Sequence, residues 1–199
     1  MKETSKCHAR RMRAGEFERY FSGQGIDIGS GDDPLRPLHG SVVCWDRRDG
    51  DAMLMPGVAD ATYNFVYSSH CLEHLVDIPT ALRHWVRILR PGGWLYIVVP
   101  DYCLYEKFQW PSRFNHDHKA SFSLDLSREK ARRDTHYNIY DDLLPTLAAL
   151  GMRMEVARLE DYNFDYSKGA VDQTLGDAVA QVCLVCRRNA NMDVLKITC

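Results

Sequence analysis

Two carboxylates stand where short apolar runs end, and a third follows shortly after them. Asp27 lies in Gly25-Ile-Asp-Ile-Gly-Ser-Gly31, Asp46 closes Val42-Val-Cys-Trp-Asp46, and Asp51 sits in Gly50-Asp-Ala52. The turn Gly29-Ser30-Gly31 lets bare backbone N–H groups come close to a ligand, because glycine has no Cβ. A fixed negative charge beside such a turn suits a nucleotide-like ligand that carries a cation. Asp46 follows Asp27 by nineteen residues, a spacing at which a carboxylate can take two ribose hydroxyls. Ser69 and His70 end a third apolar run, Tyr63 to Tyr67, and Glu73 and His74 follow. Glu73 and His74 either orient backbone or touch the ligand. A second group lies in the stretch from Pro100 to Lys119, where Tyr102, Tyr105, Phe108, Trp110 and Phe114 accompany His116, Asp117 and His118. These rings can stack on a ring-shaped ligand and the histidines can move protons, or the run is a solvated loop.

The elements that must position these residues alternate in type. Strands are expected at Gly25–Ile28, Val42–Asp46, Tyr63–Tyr67, Trp94–Val99, Met152–Leu159 and Val182–Arg187. The apolar run from Trp94 to Val99 suits a central strand covered on both faces. A helix is expected from Ile78 to Arg90, capped by Asp77, with Pro79 in its first turn and Leu82, Trp85, Val86 and Leu89 on one face. Pro91-Gly92-Gly93 stops it. A second helix spans Asp141 to Leu150, although it contains Pro145. The connection from Asp32 to Ser41 holds Pro34 and Pro37, so any helix there is stunted. Strands alternating with helices imply an α/β chain with a parallel sheet and right-handed crossovers. Carboxyl ends of such strands form the ligand crevice.

In order, Asp27-Ile-Gly29-Ser-Gly31, Asp46, Gly50-Asp51-Ala52, Ser68-Ser-His-Cys-Leu-Glu-His74 and Leu89-Arg-Pro-Gly-Gly93 resemble the class I S-adenosylmethionine (SAM) methyltransferases, type 11 group. The resemblance covers Gly25 to Asp101. It implies a doubly wound, Rossmann-like, mostly parallel sheet with an antiparallel last strand, and S-adenosyl-L-methionine as cofactor. It implies that Asp27, Gly29, Ser30, Gly31, Asp46, Asp51, Ala52 and Ser69 bind that cofactor, with Asp51 and Ala52 at the adenine edge. One departure is Asp33, which stands where the family often has a third glycine and is followed by Pro34. Asp33 either holds the ligand ammonium or caps a short helix. The extra acids and Pro34 also disfavour a dinucleotide, whose pyrophosphate they would repel.

Methyl transfer to an alcohol requires a group that takes the proton. His118 is the first candidate, Asp117 its partner or alternate, and His70 the third. The acceptor implied is a small-molecule or sugar hydroxyl, with Tyr105 and Trp110 available to stack on a sugar ring. Two other functions compete: a scaffold that keeps the fold without turnover, and a nucleic-acid methyltransferase. The latter lacks the Asn/Asp-Pro-Pro-aromatic signature, since positions 68–71 read Ser-Ser-His-Cys. A formal net charge of −2 also gives no pull toward phosphate backbones.

At 199 residues, 45% hydrophobic and 26% charged, the chain has the composition of one globular domain. Residues 1–24 read as a basic amino-terminal arm, mobile over 1–15, with a short helix at Glu16–Phe21. Residues 25–190 read as the methyltransferase domain and 191–199 as a tail. Only about 24 residues precede the first strand, so a second copy of the chain is one source of a covering segment. Seven scattered cysteines, no membrane-length apolar run and no signal-peptide pattern suit a reducing cytoplasm. Cys183 and Cys186 are three apart in a strand, which places them on opposite faces. No further Cys/His pair stands at ligand spacing near His116 and His118, so no metal is expected.

Overall fold

The computed structural model of the chain describes residues 2–131 and 134–190. The proposed tail at 191–199 lies outside the described residues. The chain opens with helices α1 (Glu3–Arg13) and α2 (Glu16–Tyr20), followed by strands β1 (Ser22–Ile28), β2 (His39–Trp45) and β3 (Tyr63–Ser69). Helix α3 (Ile78–Arg87) leads into β4 (Leu89–Pro100). Beyond it come β5 (Ser121–Ser123), the short α4 (Arg128–Ala131), β6 (His136–Asn138), α5 (Leu144–Ala149), β7 (Met152–Glu160) and β8 (Gln181–Arg188). Six strands form one sheet in the order β2-β1-β3-β4-β8-β7, while β5 and β6 pair separately. The first four strands of that sheet run parallel, and β8 is antiparallel to both β4 and β7. This is the expected doubly wound, mostly parallel sheet with an antiparallel last strand.

Strand alternation explains why both faces are covered. In β4, Leu95, Ile97 and Val99 join Trp85 of α3 and Leu147 of α5 in one apolar cluster. Tyr96 and Val98 turn to the other face and pack with Phe17 and Tyr20 of α2 and with Phe21. Cys186 belongs to the first cluster and Cys183 to the second, as their spacing requires. Asp77 caps α3 by accepting from the Thr80 N–H at 3.0 Å. The helix ends at Arg87 rather than Arg90, because Leu89 already pairs with Tyr63 across the sheet. The helix expected over Asp141–Leu150 begins as a π-type turn at Ile139–Leu143 and becomes α-helical at Leu144. Pro145 therefore falls in the first turn of α5, where its missing N–H removes no helical bond.

The amino-terminal stretch departs from the sequence expectation. Residues expected as a mobile basic arm form α1, and Arg11 is only 2% exposed. The Arg11 Nη1 donates to the Tyr67 hydroxyl at 2.8 Å, and its Nη2 lies 3.6 Å from Glu160 Oε2. Burial pushes the Glu160 carboxyl up, but Arg11, Gln181 and Arg158 together hold it below the ordinary range. A helix bearing alternating apolar and basic residues can thus bury one arginine when the sheet offers a carboxylate and aromatic faces. Replacing Arg11 with Ala should lower stability by about 3 kcal/mol, since it strands part of a buried ion pair. Urea denaturation reads this directly, and an unchanged midpoint would show that Arg11 does not anchor α1.

Candidate active site

Strands β1, β3 and β4 end along one edge of the sheet, with Asp27 level with Tyr67 and Ser69 level with Val98. Two cavities adjoin there. The first, about 220 Å³, is lined by Thr4, Asp27, Ser30, Ser69, Glu73 and His118 among others. The second, about 610 Å³, is lined by Asp46, Asp51, Ala52, Cys71 and Leu75 among others. Gly29, Gly31, His70 and His74 border both, so the two form one crevice. The second cavity alone falls in the range of roughly 300–1,000 Å³ typical of small-molecule sites.

The glycine turn is needed at its first position. Gly29 has φ +81°, and a Cβ there would stand 2.4 Å from the Cys71 Cβ. His70 is also left-handed, at φ +55°, and its N–H donates to the Val98 carbonyl at 2.9 Å. A histidine held in that conformation at a ligand cleft is a strained residue fixed by its surroundings. Its Nε2 meets Gln181 Oε1 at 2.9 Å, and Gln181 donates onward to Glu160 at 2.6 Å. The anchor of α1 is thereby wired to the crevice.

Every cofactor residue expected from the sequence borders the crevice. Asp27 is buried, accepts the Leu35 N–H at 2.7 Å, and has its carboxyl pushed up to about 7, chiefly by burial. Asp46 accepts the Arg47 N–H at 2.7 Å, and Asp51 accepts the Met53 N–H at 2.7 Å. The Ala52 carbonyl accepts from Trp85 Nε1 at 2.8 Å, which ties the Asp51 loop to the core of α3. Asp33, left open between holding the ligand ammonium and capping a short helix, borders the first cavity, and among the described residues no helix forms over 32–38 for it to cap. Its carboxylate accepts the Ser5 N–H at 2.9 Å and also pairs with the Ser5 hydroxyl, fixing the start of α1. Glu3 and Thr4 of α1 line the first cavity. Part of the cover sought in a second copy of the chain is therefore supplied by this one.

The histidine group is rearranged relative to the sequence reading. His118 is buried and borders the first cavity, but its partner is Glu106, with Nδ1 2.6 Å from Glu106 Oε1. Asp117 points away: it is half exposed and pairs with Arg47 at 3.0 Å. The hydrogen bond from Arg47 holds the Asp117 carboxyl below the usual range. His116 is exposed and, like Trp110, does not border either cavity, whereas Tyr105 and Asn115 do border the first. Glu73 proves to be the centre. It is 1% exposed, and neither carboxylate oxygen has a hydrogen-bond partner in another of the described residues. Burial pushes its carboxyl up to about 8, its own backbone N–H opposes this, and the nearby charge of Glu106 adds to it. Three imidazoles face its Oε1: His70 Nδ1 at 3.6 Å, and the Nε2 atoms of His74 and His118 at 3.9 Å each. These gaps are too long for hydrogen bonds. Burial lowers the pKa of both His70 and His74.

The model of the family described as "Methyltransferase domain" matches residues 13–142. The chain belongs to the methyltransferase-domain family. A curated relative, the malonyl-[acyl-carrier protein] O-methyltransferase of Xylella fastidiosa, is 44% identical over 46 residues. That stretch is 23% of this chain and 15% of the relative. Among solved structures, a protein assigned as a sarcosine dimethylglycine methyltransferase from Galdieria sulphuraria aligns with TM-score 0.56 at 12% identity, covering 95% of this chain and 85% of that one. A methyltransferase-fold protein from Bacillus halodurans aligns with TM-score 0.54 at 12% identity, covering 91% of this chain and 98% of its own. The [4+2]-cyclase SpnF aligns with TM-score 0.53 at 14% identity, covering 92% and 82%. At these identities the likeness is one of fold.

The cofactor of the methyltransferase-domain family is SAM, and the crevice fits it. Its first cavity is bordered by Glu3, Asp27, Asp32, Asp33 and Glu73 and, among the described residues, by no lysine or arginine, which suits a ligand with an ammonium and a sulfonium. Its second carries carboxylates beside an apolar wall, which suits a ribose and an adenine. Asp27 provides a check in the ligand-free protein. Its folded pKa lies above its unfolded value, so the folded state holds the extra proton and its contribution to stability falls as pH rises. Between pH 5.5 and 7 this loss should be about 2 kcal/mol. Denaturation midpoints across that window should show a shallower slope in Asp27→Asn, and identical slopes would refute the raised carboxyl.

Proposed function

We propose that this methyltransferase domain transfers a methyl group from SAM to a hydroxyl oxygen of a small molecule or sugar. SAM supplies a methyl group on a cationic sulfur, and its transfer forms the O–CH₃ bond, breaks the S–CH₃ bond, leaves S-adenosylhomocysteine and releases the hydroxyl proton. In this reading Asp46 takes the ribose hydroxyls, Asp51 and the Ala52 backbone meet the adenine edge, and Asp27 faces the ammonium. Gly29, Ser30, Gly31 and Ser69 bound the methionine end. His118, oriented by Glu106, activates the acceptor hydroxyl where Glu73 floors the cavity. His70 closes the wall between the two halves.

One observation carries the assignment. His118 and Glu73 border the same cavity as Asp27 and Ser69, so the acceptor-side groups and the methionine-side groups face a common space. The acid-rich lining argues against an anionic acceptor such as a carboxylate or a phosphate backbone, because like charges repel. Tyr105, buried against Phe114 and His118 but lining the same cavity, offers aromatic surface to a sugar.

Two substitutions separate the roles. Asp46→Ala should weaken SAM and S-adenosylhomocysteine binding about tenfold or more, since a bidentate hydrogen-bonded charge is worth roughly 1.5–3 kcal/mol. His118→Ala should keep cofactor affinity and lower turnover on a sugar or phenol acceptor by about 10²-fold or more. Calorimetric titration and methyl-transfer assays read the two effects. An unaltered titration in the first variant removes Asp46 from the cofactor site, and undiminished turnover in the second removes His118 from the chemistry.

A further inference from the structure

We propose that Glu73, His74 and His118 hold a divalent cation of the zinc class at the floor of the crevice. One carboxylate oxygen and two imidazole nitrogens from these residues lie within 4.8 Å of one another. His74 and His118 each present Nε2 to the same Glu73 oxygen at 3.9 Å. Ligands about 2.0–2.1 Å from a tetrahedral ion stand roughly 3.3 Å apart, so a small closing movement seats one.

Three further features point to an ion rather than a packing accident. The first is Glu73 itself. A carboxylate that is 1% exposed, with no partner for either oxygen in another of the described residues, is costly to bury unless a positive charge joins it. The second is the way the imidazoles are held. The Asp117 carbonyl can only accept, so His74 Nδ1, 3.3 Å away, carries the proton and leaves Nε2 as a lone pair. The Glu106 carboxylate at 2.6 Å does the same for His118 Nδ1. Metal-binding histidines are fixed in this manner by an oxygen on the far nitrogen. The third is placement: the three groups open onto the first cavity, the space that methionine-side and acceptor-side groups share in the proposed reading.

Two imidazoles and one carboxylate favour zinc, cobalt, iron or manganese over calcium or magnesium, which prefer all-oxygen sets. Three protein ligands leave a position for an acceptor oxygen, whose pKa the ion lowers so that its proton leaves to water. His118 then acts on the hydroxyl through the ion rather than by taking the proton itself. This use of the ion rests on the methyl-transfer reading; the ion site does not.

The test is titration of Co²⁺ into the metal-free, untagged chain, read by visible absorption. One equivalent should give intense bands of a low-coordinate site, and Zn²⁺ should bleach them. Glu73→Gln and His118→Ala should weaken cobalt binding at least tenfold, while His116→Ala, at an exposed residue that borders neither cavity, should leave the bands unchanged. S-adenosylhomocysteine titration of the same samples confirms that each variant is folded. Absence of stoichiometric bands, or bands equal in all variants, overturns the ion site. Cofactor binding kept with cobalt binding absent contradicts the ion alone. Cobalt binding kept with no cofactor binding by the parent chain contradicts the methyl-transfer reading alone.

Discussion

The backbone carbonyl of Glu73 accepts two N–H groups, from Lys119 at 2.7 Å and from Ala120 at 3.0 Å. That stitch joins the turn after β3 to the end of the long connection that follows β4. It sets His118 against Glu73 and shuts the Glu73 side chain away from water. With the stitch undone, the carboxylate would hydrate and the imidazoles would separate. The unusual chemistry of the site, a buried acid ringed by imidazoles without hydrogen bonds, therefore depends on main-chain bonds rather than on the acid's own contacts.

A second layer of support comes from the opposite face of the sheet. Arg11 sits beside Glu160, Glu160 accepts from Gln181, and Gln181 meets His70 at the crevice. Arg158 bridges Glu160 and Glu16 at 2.7 Å each, and Glu16 accepts from the Tyr96 hydroxyl at 2.7 Å. Arg11, Glu160 and Glu16 are taken out of water together while Arg158 stays partly exposed, and each carboxylate finds more than one donor, which is the condition under which buried ion pairs are tolerated. The network clamps α1 over the sheet and so brings Glu3 and Thr4 to the cofactor side of the crevice. The same sheet architecture serves unrelated reactions, so the reaction must be argued from these side chains rather than from the topology.

Much of this was legible before any coordinates. The strands announced themselves because central strands must be apolar on both faces, as Trp94 to Val99 is, and Asp77 declared the start of α3 through its capping role. The residues expected to hold the cofactor were legible as crevice residues because most of them sit at or just past a strand's carboxyl end. What escaped was set by long-range contacts. Arg11 fell within the expected mobile arm because its partners, Tyr67 and Glu160, are far away in the chain. Asp117 was paired with His118 by adjacency, yet neighbouring residues in a turn point apart, and Arg47 claims Asp117. Glu106 had no sequence mark as the partner of His118. The grouping of Glu73, His74 and His118 has no fixed spacing, because the fold rather than a helix face brings it together.

The central claim is that one crevice holds SAM with its sulfur turned toward the Glu73 cluster. A crystal structure of the chain with S-adenosylhomocysteine addresses it most directly. The account predicts the adenosyl group between Asp46 and Ala52, the amino-acid end against Asp27, and the sulfur facing Glu73 and His118. A ligand bound elsewhere, or one whose sulfur faces away from that cluster, would contradict it.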